Sequence, residues 1–188
     1  TPEACRDIEW LKPHFMTEQG KLIMSVHALV VDTDTRRIVV DTCIGNDRDR
    51  LAYASNSNLK TAFMEDFAAA GFDREKVDVV LCTHLHFDHV GWNTTLEDGE
   101  WVPTFPNARY LIGKKEWDYW GSEPVNPDEP IMDDSVRPIL DAGLADLAGS
   151  FMVSARRLPD LGAGNLIVAP FKGMVSATAI RSASMTVL

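Results

Sequence analysis

The sequence predicts a mixed α/β layered domain over residues 1–154, and three observations point to it. Residues 25–41 (SVHALVVDTDTRRIVVD) hold two β-branched apolar runs around a polar stretch, a hairpin pattern with its loop near Asp32 to Arg36. Residues 57–71 carry the three-to-four spacing of an amphipathic helix. Residues 77–83 (VDVVLCT) form a continuous apolar run, which suits a strand covered on both faces. Hairpin, helix and buried strand in that order are how a layered α/β domain is built.

Each element has its own local justification. The second hairpin run, Ile38 to Val40, stops at Asp41, and Thr42 to Asn46 with Gly45 reads as a loop. Ser57 or Asn58 caps the helix, because a short side-chain oxygen can accept from the free amides of a first turn. Leu59, Ala62, Phe63, Phe67 and Ala70 make its apolar face, and Gly71 supplies a left-handed end. Further along, Arg109 to Ile112 reads as a short strand and Lys114 to Trp120 as a helix. Ser135 to Leu147 reads as another helix, with Pro138 in its first turn or at a kink. Pro124, Pro127 and Pro130 mark the loop between these two, and the acidic run from Asp128 to Asp134 reads as a solvated part of it.

Bulk composition narrows the function. A net charge of −10 over 188 residues opposes binding to nucleic acid or to an anionic membrane surface. No apolar run approaches the roughly 18 residues of a membrane helix, and the charged start TPEACRDIEW has no signal-peptide core. Cys5, Cys43 and Cys82 show no C-x-x-C pairing, which favours reduced thiols and a cytoplasmic location. Asn93-Thr94-Thr95 matches a glycosylation sequon but carries little weight without a secretory route.

The chemistry is concentrated in residues 83–93, THLHFDHVGWN, which place three of the chain's five histidines and one aspartate within six positions. In an extended segment residues two apart share a face, so His84 and His86 can point at one ion. Asp88 and His89 follow, where a turn aims them at a second ion nearby. Imidazole nitrogen and carboxylate oxygen at about 2.0–2.2 Å suit Zn²⁺, and Fe, Mn and Co accept the same donors. Two ions roughly 3.5–4 Å apart would share a water, lower its pKa and supply hydroxide at neutral pH.

H-x-H-x-D-H after an apolar strand, followed by Gly91, resembles the metallo-β-lactamase superfamily, as does the upstream VVDTCIG. HALVVDTDTRRIVVDTCIGN, THLHFDHVGWN and FPNARYLIGKKEWDYW together are most similar to its lactonase and phosphotriesterase-like branch, over about Trp10 to Gly149. The resemblance implies an αβ/βα layered sandwich, of which this chain holds the N-terminal half to two-thirds. It implies a zinc-dependent hydrolase acting on a small-molecule lactone, ester or phosphotriester, with two Zn²⁺ per complete site and Fe or Mn as alternatives. His84 and His86 would bind one ion, Asp88 and His89 the other, and Asp88 would also act catalytically by orienting or deprotonating the attacking water. Members complete the site downstream with a third His, a bridging Asp and a final His. No His follows His89 in these 188 residues. The alternative is therefore a catalytically incompetent fragment or pseudoenzyme with an incomplete metal site. A half-built domain would expose apolar surface and self-associate, so a homo-oligomer is one expected assembly.

Residues 155–188 differ in composition: four basic residues and one acidic give +3, against 14 basic and 27 acidic residues in 1–154. The expectation is a frame that departs from the family near Phe151 to Arg157, with a divergent native tail as the other reading. Of the remaining residues, Asp41 either holds a ligand histidine from behind or simply forms a strand-end loop. Cys82, His14 and His27 read as structural. Trp92, Trp101, Trp117 and Trp120 either line an apolar pocket or pack as core and rim.

Overall fold

The computed structural model describes residues 2–149 and, for the backbone, residues 176–187. A short helix, α1 (Pro2–Arg6), precedes the predicted hairpin. Strand β1 (Leu22–Asp32) pairs antiparallel with β2 (Arg37–Val40), with Leu29 opposite Val40 and Asp32 opposite Arg37. The Thr33 hydroxyl accepts the Arg36 amide at 2.9 Å and closes the turn where the polar stretch placed it. β1 starts three residues earlier than its sequence pattern suggests because it has a second neighbour. The backbone of β8 (Ser176–Val187) runs antiparallel along it, from Leu22 opposite Val187 to Asp32 opposite Ser176. Most of the compositionally distinct tail, residues 155–175, lies outside the described residues, as does the expected frame change near 151–157.

The first helix, α2, spans Phe63–Ala69 and not the stretch from residue 59. The Ser57/Asn58 cap is not used, because loop contacts capture the backbone ahead of the helix. Asn58 takes a left-handed φ of 51° and its amide bonds to Arg48 O. The Asn46 carboxamide accepts from Thr61 N at 2.8 Å and donates to Thr61 O at 3.0 Å. β3 (Val79–Leu81) is shorter than the apolar run and lies inside the sheet between β2 and β6 (Arg109–Gly113), parallel to both, with Val80 buried on one face and Leu81 on the other. Next comes the single-turn helix α3 (Phe87–Val90).

A second small sheet was not expected. β4 (Thr94–Glu97) and β5 (Glu100–Pro103) form a hairpin around Asp98-Gly99. Both turn residues have positive φ, 52° and 87°, the primed turn that an Asp-Gly pair favours. α4 (Lys114–Trp120) has its expected bounds. The helix read over 135–147 is divided. A wide turn at Met132–Val136 leads into α5 (Arg137–Asp141), with Pro138 in its first turn, where a missing N–H does no harm. Gly143, at φ 70°, ends it, and Ala145–Ala148 becomes β7, parallel to β6.

Among the described residues the main sheet runs β7-β6-β3-β2-β1-β8. Alternation along the strands splits their side chains between two faces. Val30, Val39, Val80, Tyr110 and Ile112 pack with Phe63, Phe67, Val136 and Ile139 in the main core. Val31, Val40 and Leu81 cluster with Leu29, Ile38 and Leu111 on the opposite face. No described helix is long and apolar enough to cross a membrane.

Candidate metal centre

All four residues of the motif gather where β3 runs out. The His84 ring centroid lies 4.6 Å from that of His86 and 3.9 Å from that of His89. His89 Nε2 stands 3.4 Å from an Asp88 oxygen. The cluster therefore forms from residues adjacent in sequence, through a strand end, a turn and one helical turn.

Two anchors hold it. Asp41 ends β2 with a left-handed φ of 55°, which turns its carboxylate toward the motif. One oxygen accepts Thr83 N at 2.8 Å, and the other lies 2.8 Å from His89 Nδ1. Of the two readings open for Asp41, it is the histidine contact that forms. Because Nδ1 is taken, Nε2 is the nitrogen left to face an ion. From the other side Glu116 of α4 accepts the Leu85 amide at 3.1 Å and the Trp120 indole N–H at 3.3 Å.

Electrostatics follow from these contacts. Burial alone would lower the His89 imidazole, but its bonds to Asp41 and Asp88 outweigh this and push it up to about 9. The same contact with His89 pulls the Asp88 carboxyl below its ordinary value. Burial, aided by the neighbouring imidazoles His89 and His86, lowers His84. An ion held by His89 would compete with a proton for the same nitrogen, which would couple binding to proton release.

Behind the motif lies a feature sequence reading missed. Asp134, placed in a solvated acidic loop by its neighbours, is 4% exposed and sits between two buried guanidinium groups. Arg50 grips its carboxylate with two nitrogens, at 2.7 and 3.0 Å, and Arg48 reaches it at 3.1 Å. Arg48 also donates to the carbonyls of Gly91 and Thr94, and its guanidinium lies 4.1 Å from the Trp101 ring centroid. Burial lowers Arg48 to about 10, against the pull of Asp134. The clue was available in the apolar flanks, Ile131-Met132 before the Asp pair and Val136 after it.

The other candidates divide clearly. Trp92 is core, stacked on Phe63 at 5.3 Å, and Trp101 lies under Arg48. Trp117 packs half-buried against the core, while Trp120 meets His86 edge to face at 5.6 Å. Cys82 is buried beside Asn93, and burial pushes its thiol up to about 12. Asn93, the sequon residue, is itself fully buried. His14 and His27 are exposed and lie outside the cluster.

Three imidazoles and a carboxylate have the donor chemistry of one half of a dinuclear site. Among the described residues, however, no three His, Cys, Asp or Glu side chains are arranged to close on one ion. The fit is thus one of donor identity, with His89 Nε2 beside Asp88 and no closed ligand set among the described residues. Replacing Asp41 with alanine removes the partner that fixes His89 and is expected to weaken zinc affinity by about 10- to 100-fold. Competition titration with a chelating dye checks this, and an unchanged affinity would deny Asp41 that role.

The structure is that of a layered α/β domain with a histidine-aspartate cluster at the end of β3. The sequence model of the metallo-β-lactamase superfamily matches residues 23–164, and the chain belongs to that superfamily. No curated protein matches the sequence. Among solved structures it is similar to a "probable metal-dependent hydrolase" from Staphylococcus aureus, at 19% identity and TM-score 0.57, over 81% of this chain and 53% of that one. It is also similar to AidC, a dizinc quorum-quenching lactonase in complex with a product, at 21% identity and TM-score 0.56, over 82% and 53%. The hydrolase AbOPH matches at 24% identity and TM-score 0.53, over 77% and 50%. The chain therefore spans about half the length of these proteins, and the likeness is one of fold.

Proposed function

We propose that the chain carries the first half of the metal site of a hydrolase acting on a small-molecule lactone, ester or phosphotriester, with zinc as the resident ion and iron or manganese as substitutes. The observation that carries this reading is the gathering of His84, His86, Asp88 and His89 at one strand end, with Asp41 behind His89. A bound divalent ion would polarise the substrate oxygen and acidify a water. His84 and His86 would hold one ion, and Asp88 and His89 would face a second. Asp88, its carboxyl kept ionised by His89, would accept or steer the proton of the attacking water. The similar structure AidC, a lactonase, supports the lactone class, while ester and phosphotriester rest on the sequence resemblance alone.

A second reading has its own observation. The open donor set, with no histidine after His89, favours a polypeptide that by itself binds an ion weakly and turns nothing over. One experiment separates the two. The purified chain is assayed on a lactone, an aryl ester and a phosphotriester, with added zinc and then with chelator. The hydrolase reading expects zinc-dependent turnover that falls about 100-fold or more in Asp88→Asn. Turnover that survives both chelator and Asp88→Asn would refute it, and bound metal without turnover would select the second reading.

A further inference from the structure

A cavity of about 190 Å³ adjoins the motif on the side of α4. Leu85, Trp120 and Ile131 supply its apolar wall, and Leu85 is the residue between His84 and His86. Its charged members are Glu123 and Glu129; no basic side chain lines it among the described residues. Glu129 is half-buried, and among the described residues its carboxylate has no hydrogen-bond or ion-pair partner. Its oxygens are therefore available to a group that enters the cavity and donates a hydrogen bond. Burial accordingly raises the Glu129 carboxyl, with Arg50 and His86 opposing. The Trp120 ring in the same wall is a surface on which a cation can also rest.

Size limits the occupant. An apolar cavity of about 150 Å³ takes a benzene ring, while whole drug-sized ligands need about 300 Å³ or more. One ring or a short chain fits here.

We propose that this cavity is the subsite for a substrate group of that size bearing a positive charge or hydrogen-bond donors, received by Glu129 beside Trp120. The inference rests on the hydrolase reading and narrows its substrates to neutral and cationic ones, with anionic groups turned away.

The test needs no turnover. The 188-residue chain is titrated with benzylammonium, benzyl alcohol and benzoate at a mildly alkaline pH. Binding is followed at the Trp120 indole N–H resonance, identified by its loss in Trp120→Phe. Benzylammonium is expected to bind about tenfold tighter than benzoate, the worth of one charge-assisted hydrogen bond, with benzyl alcohol between. Glu129→Gln should abolish the advantage of the ammonium over the alcohol. Benzoate binding as well as benzylammonium, or no ligand moving the Trp120 resonance, would overturn the proposal on the unmodified chain alone. An unchanged order in Glu129→Gln would do the same. A failed hydrolase reading would appear as absent zinc-dependent turnover with this ligand order intact, so the two failures are distinct.

Discussion

Gly91→Ala is expected to cost about 3 kcal/mol or more of folding stability and to strip the motif of its support. Gly91 has ordinary helical angles, φ −58° and ψ −53°, so alanine suffers no backbone penalty there. Its handicap is space. A Cβ at residue 91 would lie 1.9 Å from the carbonyl carbon and oxygen of Ile44 and 2.4 Å from Gly45 N. Those atoms are backbone and cannot swing aside. The close approach exists because the loop after β2 and the motif bond to each other directly: Thr42 N to His89 O at 2.6 Å, Gly91 N to Cys43 O at 2.7 Å, and Trp92 N to Thr42 O at 2.7 Å. Forcing them apart also withdraws Asp41 from His89. Urea unfolding gives the stability change, and a loss below about 1 kcal/mol would mean the two segments separate easily.

Asp134→Ala is expected to lose about 3–5 kcal/mol, because it leaves two buried guanidinium groups without a counter-charge. Two cations already share one carboxylate, and Arg48 Nε and Arg50 Nε are buried without a hydrogen-bond partner. The loss should reach the histidine-aspartate cluster through Arg48, which donates to the Gly91 carbonyl. Replacing Arg50 by leucine in the same background should recover part of the stability, since an apolar side chain removes one stranded charge. Thermal unfolding of the three proteins checks the order, and an Asp134→Ala protein as stable as the parent would show that water reaches the arginines.

What was legible in the sequence was local. His84, His86, Asp88 and His89 stand within six positions, so no long-range folding knowledge was needed to group them. The hairpin was equally local, written in two β-branched apolar runs around a polar stretch, and α4 took the bounds read for it. The misreadings came from contacts distant in sequence. Asn46 and Arg48 hold residues 58–61 out of the helix that their own pattern suggests. Gly143 divides the 135–147 helix because residues 145–148 have a strand partner in β6. Asp134 lies 84 positions from Arg50, so its partner could not be read from the acidic run around it. Asp98-Gly99 was a readable hairpin signal that the polar composition around it obscured.

The central claim is that His84, His86, Asp88 and His89 hold metal. Elemental analysis of the full chain, equilibrated with zinc and freed of excess, tests it most directly beside a His84→Ala/His86→Ala protein. The account predicts at least one ion per chain, falling to background in the double variant. Well under one ion per chain, or equal metal in both proteins, would contradict it.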